Sequence, residues 1–499
     1  MGVLDGLEPK SVFHYFEEIC RIPHGSGNTK QISDYLKKSA IKRGFGCIQD
    51  ELYNIIIIKE ATEGYEQEEP YILQGHMDMV AVSKPGSGID MTKDSLKLYI
   101  DNNRIHAEAT SLGGDDGIAV AYALALLDEK EIKHPRLEIV LTVDEETGME
   151  GARGIDLSML KGRRLINLDQ EEEGVILTSC AGGARVDVSI PMRRDSVAVE
   201  NVQILTIKVT GLQGGHSGAE INKGRGNANC LLGRILKGIS DRFDIRIVTM
   251  QGGLADNAIP RDAEALVAVD ITCTEEISAF VKEEETNIRQ ELGGKDAGFA
   301  VVCETADGQS AINGHLIDLS SQQKCINCFD IASTKQALDC LCTLPNGVIA
   351  MSRELEGLVQ TSLNLGILTL GQDELRLSYA VRSSVDEDKE KLCRQMKDIA
   401  VRSGARTEIR SSYPGWAYRK ESPLRDIVAT VYEQMYGKKP VLVAIHAGLE
   451  CGILAAKIPG LDCVSIGPDM SDVHTTEESL DIASVQRTWE YLKNVLAYK

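Results

Sequence analysis

The chain is short of positive charge: 54 Lys and Arg stand against 75 Asp and Glu in 499 residues, a formal charge of −21. No Lys/Arg-rich run interrupts that excess, so a nucleic-acid backbone or an anionic membrane surface is not an expected partner. Long apolar runs are lacking too. The longest, residues 117–127, is about half of what a membrane span needs. The opening Met1-Gly2-Val3-Leu4-Asp5-Gly6 has no basic-then-apolar signal pattern, and Gly6 stands where a myristoylation motif needs Ser or Thr. The 13 Cys are an odd number spread from Cys20 to Cys463. A chain of this size does not need disulfide staples, so a reducing, cytoplasmic location fits best.

What the chain has is apolar substance. Hydrophobic residues make up 43%, enough for about two to four domains with real cores, which excludes disorder as the main state. Periodicity predicts helices over 11–20 (Val12, Phe13, Phe16, Ile19), 29–43 and 117–127, and strands over 54–58, 71–75, 137–143 and 164–168. This alternation predicts an α/β fold with a mostly parallel, helix-covered sheet. The character changes near Gly182-Gly183, where a strand at 202–210 opens a mixed region, and again at Tyr413-Pro414-Gly415-Trp416. Beyond it a helix at 423–436, a strand at 463–466 and a helix at 482–496 resume the first pattern. The expected organisation is a catalytic domain in two parts, 1–186 and 412–499, around an inserted α+β domain of residues 187–411, whose length allows internal doubling. No short solenoid-type repeat is visible.

Each predicted strand of the outer parts runs into acids or histidine. Residues 71–75 lead to His76-Met77-Asp78, 137–143 to Asp144-Glu145-Glu146-Thr147, 164–168 to Asp169, and 463–466, after eight residues, to His474. In open α/β sheets the ligand site lies outside the carboxyl ends of the strands, so these side chains are expected to converge. Gly113-Gly114-Asp115-Asp116-Gly117 adds carboxylates at the mouth of a helix. Singly, each acid reads as a cap or a solvated loop residue. Together, two imidazoles and several carboxylates with no thiolate suit zinc, manganese or cobalt. Asp78, two residues from His76, projects to the same side of an extended chain and is placed to orient the imidazole.

The sequence resembles the M20 metallopeptidases and, within them, the aminoacyl-histidine (carnosine-type) dipeptidases. The resemblance is carried by Gly75-His76-Met77-Asp78-Met79, Gly113-Gly114-Asp115-Asp116-Gly117, Asp144-Glu145-Glu146-Thr147-Gly148, Asn167-Leu168-Asp169, Gly214-Gly215-His216-Ser217-Gly218, His446-Ala447-Gly448-Leu449-Glu450-Cys451-Gly452, and Ser465-Ile466-Gly467-Pro468 leading to His474. It spans the whole chain in order. It implies a zinc-exopeptidase-like catalytic domain with the insert as a lid, and a dipeptide substrate.

It also implies two divalent ions, zinc first with manganese and cobalt as alternatives. His76, Asp115 and Asp169 would hold one, and Asp115, Glu146 and His474 the other, with Asp115 as bridge. Glu145 would be the general base. Read alone, 214–218 is a glycine turn with an incidental His. The resemblance instead makes His216 the lid group that meets the oxyanion, within one chain or across a dimer, family members often being dimers. Asn257 and Arg382 would hold the substrate carboxylate, with His446 and Glu450 beside them. Glu450 would meet a free amino group or make a structural salt bridge. Two departures stand out: Asp116 where relatives often carry Asn, and His474 in Val-His-Thr-Thr-Glu-Glu rather than a His-Ser-Pro setting.

Competing signals fail. Gly215-His216-Ser217-Gly218-Ala219 lacks the last Gly of a serine-hydrolase elbow. There is no His-Glu-x-x-His helix, no Walker loop and no complete Gly-x-Gly-x-x-Gly. Cys325-x-x-Cys328 with Cys340-x-Cys342 suggests a structural zinc, but the second pair is one residue too tight, so free thiols are expected. His14, His24, His106, His134 and His315 read as ordinary histidines. Two other functions stay open: another amide hydrolysis of the same family, on tripeptides or N-acyl amino acids, and a non-catalytic binding protein on the same fold.

Overall fold

The computed structural model describes residues 2–306, 308–312, 315–319 and 325–499, and the side chains of 2–306 and 325–499. The side chain of His315 lies outside the described residues. The chain divides into two compact units: 1–180 with 416–444 and 449–499, and 181–415 with 445–448.

The first unit is built on an eight-stranded sheet in the order Gly46–Gln49, Ile55–Lys59, Leu137–Thr142, Tyr71–His76, Arg164–Asn167, Asp462–Ser465, Val175–Cys180, Val441–Ile445. Its four central neighbours, from Leu137–Thr142 to Asp462–Ser465, run parallel. Strands on either side of them pair antiparallel. The central strands Tyr71–His76 and Leu137–Thr142 are buried along their whole length, as continuous apolar runs in a helix-covered parallel sheet require. Helices Lys10–Cys20, Lys30–Lys42, Gly114–Asp128, Pro423–Tyr436 and Ile482–Ala497 put their apolar residues into the same core, around Phe13, Phe16, Leu36, Tyr122, Val428 and Trp489. A small antiparallel sheet, Met470–Ser471, Ser479–Asp481, Arg104–Ala107 and Leu98–Asp101, completes the unit.

The second unit is a nine-stranded sheet whose paired strands are antiparallel, with helices Ala228–Ser240, Thr274–Leu292, Ile331–Thr343 and Asp386–Arg402. Ala228–Ser240 and Ile331–Thr343 share a core with the sheet through Leu232, Leu236, Leu338 and Leu341. Among the described residues no helix is long and apolar enough to cross a membrane.

Candidate metal centre

Parallel pairing brings the strand ends level. Within the first unit His76 is opposite Thr142, and Gln74 opposite Asn167, so the loops carrying Glu145, Glu146 and Asp169 leave the sheet beside His76. Asp115 comes from the turn that opens helix Gly114–Asp128 and has extended backbone there. His474 comes from the loop between the short paired strands Met470–Ser471 and Ser479–Asp481. Gly75 lets the helix approach: a Cβ there would lie 2.6 Å from the Ala119 Cβ and collide with the Asp116 carboxylate.

Asp115 stands between the two imidazoles. Its Oδ1 is 3.0 Å from His76 Nε2 and its Oδ2 is 3.0 Å from His474 Nε2. Asp169 Oδ1 is 3.6 Å from His76 Nε2, and Glu146 Oε1 is 2.8 Å from His474 Nε2. Potential ligand atoms fall into three overlapping groups, each within 4.8 Å: His76, Asp116 and Asp169; His76, Glu145 and Glu146; Asp115, Glu146 and His474. Burial and the Asp115 charge push Asp169 well above the carboxylate range. Burial opposes a charge on Asp115 too, but its hydrogen bonds to His474 and His76 hold it far below that range. The carboxylates of Asp115 and Glu146 push His474 up to about 11. Neighbouring acids raise the pKa of both His76 and His474, an electrostatic setting that favours a cation.

Asp78 acts differently from the sequence expectation. The His76 Nδ1 contact is to the Asp78 backbone carbonyl, at 3.0 Å, while the carboxylate is 3.6 Å away. That carboxylate instead accepts hydrogen bonds from Ser26 Oγ (2.8 Å) and the Glu145 N–H (3.2 Å). Asp78 thus orients His76 with its main chain and pins the Glu145 loop with its side chain. Burial, together with the charges of Glu450, Glu146 and Asp115, pushes Glu145 up to about 8 against the pull of His76. Asp116 is fully buried, accepts the His76 N–H at 3.1 Å, and is raised well above the carboxylate range by burial and the charges of Asp169 and Asp115.

Glu450 opens helix Glu450–Lys457 and is 1% exposed. Its Oε2 accepts from Gln74 Nε2 (2.5 Å) and Thr142 Oγ1 (2.6 Å), and its Oε1 has no partner. No cation pairs with it among the described residues, so the salt-bridge expectation is not met. Gln74 also accepts from Asn167 Nδ2 at 2.8 Å. These polar side chains link the three strands that carry His76, the Glu145-Glu146 loop and Asp169.

The second unit gathers another set. The strand Gly215–His216 pairs with Ala258–Ile259, and the Ser217 N–H donates to the backbone carbonyl of Asn257, whose side chain is exposed. The N–H groups of Gly218 (3.3 Å) and Ala219 (3.1 Å) donate to His216 Nδ1. An acceptor at Nδ1 places the proton of the neutral ring on Nε2. Burial and the Arg382 charge lower its pKa and keep it neutral. His446 Nε2 is 2.7 Å from Ser362 Oγ. Burial and the charges of Arg382 and His216 push His446 down to about 3, and its Nδ1 has no partner. Arg382 is only 7% exposed, its neighbours include Tyr413 and the Asp256 carboxylate, and its Nε has no partner.

Cys325, Cys328, Cys340 and Cys342 are free thiols. Cys325 and Cys328 are an exposed and a buried residue of one strand, on opposite faces. His14 is exposed, His106 stacks on Tyr99, and His24 and His134 are buried with Nδ1 on backbone carbonyls. Sequence reasoning gave no role to Gln74, Thr142, Asn167, Ser362 or Glu478. Polar residues inside an apolar strand run were the available cue for the first three.

Residues 72–498 match Peptidase family M20/M25/M40. The chain is 35% identical over 498 residues to the cytosol non-specific dipeptidase of Escherichia coli (strain K12), covering 99% of each. The aminoacylhistidine dipeptidase of Vibrio alginolyticus superposes with a TM-score of 0.90 at 35% identity, over 99% of this chain and 97% of that one. An aminopeptidase, PepT, of Bacillus cereus shares the fold at 16% identity, with a TM-score of 0.60 over 98% of both chains.

Proposed function

The chain belongs to peptidase family M20/M25/M40, and on that premise we propose that it is a cytoplasmic dipeptidase with two divalent ions, cleaving Xaa-His and related, carnosine-like dipeptides. The observation that carries the reading is Asp115, with one oxygen toward each imidazole at 3.0 Å. Its donor set of imidazoles and carboxylates fits zinc, with manganese and cobalt as alternatives. His76, Asp115 and Asp169 would hold one ion, and Asp115, Glu146 and His474 the other. When bound, the ions polarise the scissile carbonyl and acidify the attacking water.

The remaining steps fall to the chain's own groups. Glu145, its loop pinned through Asp78, takes the proton of the attacking water and delivers it to the leaving amine. His216, with its proton on Nε2, donates to the oxyanion. Arg382 and Asn257 hold the substrate carboxylate, and His446 contacts it through its open Nδ1. Glu450 meets the free amino group with Oε1. The family habit favours a homodimer.

Chelation should abolish dipeptide hydrolysis, and zinc, manganese or cobalt should restore it. Activity in metal-free protein would end the reading, and better cleavage of N-acetylated than of free dipeptides would replace it with an amidohydrolase. The carboxylate clamp has its own test. Arg382→Ala should raise KM for a free dipeptide about 10- to 100-fold, the worth of a charged hydrogen-bonded pair, without changing metal content. C-terminal amidation of the substrate should reproduce that loss in the unaltered enzyme, and equal kinetics on amidated and free dipeptides would remove the clamp.

A further inference from the structure

Glu477 and Glu478 are adjacent acids with different surroundings. Glu477 is exposed and pairs with Lys84. Glu478 is 3% exposed and pairs with no cation among the described residues; its Oε2 accepts the N–H groups of Leu112 (2.8 Å) and Gly113 (3.1 Å), and its Oε1 that of Gly114 (2.8 Å). Burial opposes its charge, while the three N–H groups favour it. These are the last three amides before Asp115.

Gly113 has φ +69°, and a Cβ there would lie 2.8 Å from Met79 Sδ. Helix Gly114–Asp128 has no side-chain cap of its own, so the acceptor for its first amides comes from 364 to 366 residues away. Glu478 is itself fixed. Its N–H donates to the Thr475 carbonyl, closing the His474 loop, and the next residue begins the strand Ser479–Asp481, which pairs with Arg104–Ala107.

We infer that Glu478 is a positioning residue that ties the Asp115 turn to the His474 loop, so that the two side chains face each other across one metal position. This rests on the reading of Asp115 and His474 as ligands. A Gln at 478 keeps one acceptor but turns an amide N–H toward the Gly114 N–H, immediately before Asp115. An Asp keeps both acceptors on a shorter stem.

The test is titration of metal-free protein with cobalt(II), followed by stoichiometry and by the visible ligand-field absorption. Unaltered protein should take up two ions. Glu478→Gln should bind cobalt about 10- to 100-fold more weakly, the usual cost of losing a group that orients a ligand, with a changed spectrum. Glu478→Asp should recover part of that affinity, and Glu477→Gln should leave both readouts unchanged. An ordering of Gln below Asp below Glu is not what general destabilisation produces. Unaltered affinity and spectrum in folded Glu478→Gln, or an Asp variant no better than the Gln one, would overturn the inference. Should the Gln variant not fold, the Asp variant alone decides: weakened cobalt binding supports the inference and unaltered binding overturns it. If the unaltered protein binds no cobalt, the metallopeptidase reading falls as well, a result distinct from equal binding in all variants.

Discussion

Glu145→Gln should lower kcat by about 10²- to 10⁴-fold, the loss typical of a missing general base, or roughly 3–5 kcal/mol of transition-state stabilisation. The substitution keeps size and hydrogen-bonding shape, so KM and a stoichiometry of two ions should survive. Glu146→Gln should behave differently. Its carboxylate is 2.8 Å from His474 Nε2, whereas Glu145 is held through its backbone N–H by Asp78, and no hydrogen bond engages its carboxylate among the described residues. Glu146→Gln should therefore lose occupancy at one position and regain part of its activity in excess metal. Metal analysis of the two purified variants beside their kinetics separates the roles. Loss of metal from Glu145→Gln with retention in Glu146→Gln would reverse the assignment, and a nearly fully active Glu145→Gln would place the base elsewhere.

Asp115→Ala should be the most damaging single ligand substitution. Both of its oxygens are used, one 3.0 Å from each imidazole. Its removal should deplete both ions on dialysis and lower kcat/KM on the order of 10³-fold or more, since each ion supplies several kcal/mol of charge stabilisation. Asp169→Ala touches only the His76 side, where its oxygen is 3.6 Å from Nε2, and should deplete one ion. Equal metal content in the two variants would show that Asp115 does not serve both positions.

Much of this centre is legible in the one-dimensional pattern because the fold imposes a rule on it. Short apolar runs that end in His or acid belong to a parallel sheet, and a parallel sheet delivers its strand ends to one edge. That rule was enough to assemble His76, Glu145, Glu146 and Asp169. It reached His474 only across eight further residues, and Asp115 came from a separate glycine-rich motif at the mouth of a helix. Nor could it say which atoms of a residue act. Asp78 was expected to orient His76 with its carboxylate and does so with its carbonyl, because a two-residue spacing specifies a side of the chain and not a distance.

The sequence by itself determined the fold class, the family and the kind of chemistry, through apolar periodicity, the order of the motifs and the scarcity of cations and thiolates around the acids. Only the tertiary structure showed what each of two neighbouring acids touches: Asp115 and Asp116, Glu145 and Glu146, Glu477 and Glu478. Each pair is two acids side by side in the chain. Asp115 has an imidazole at each oxygen while Asp116 accepts a backbone N–H, Glu146 meets His474 while Glu145 is held by its backbone N–H, and Glu478 gathers three N–H groups while Glu477 pairs with Lys84 at the surface, all through partners that the fold brings from far along the chain.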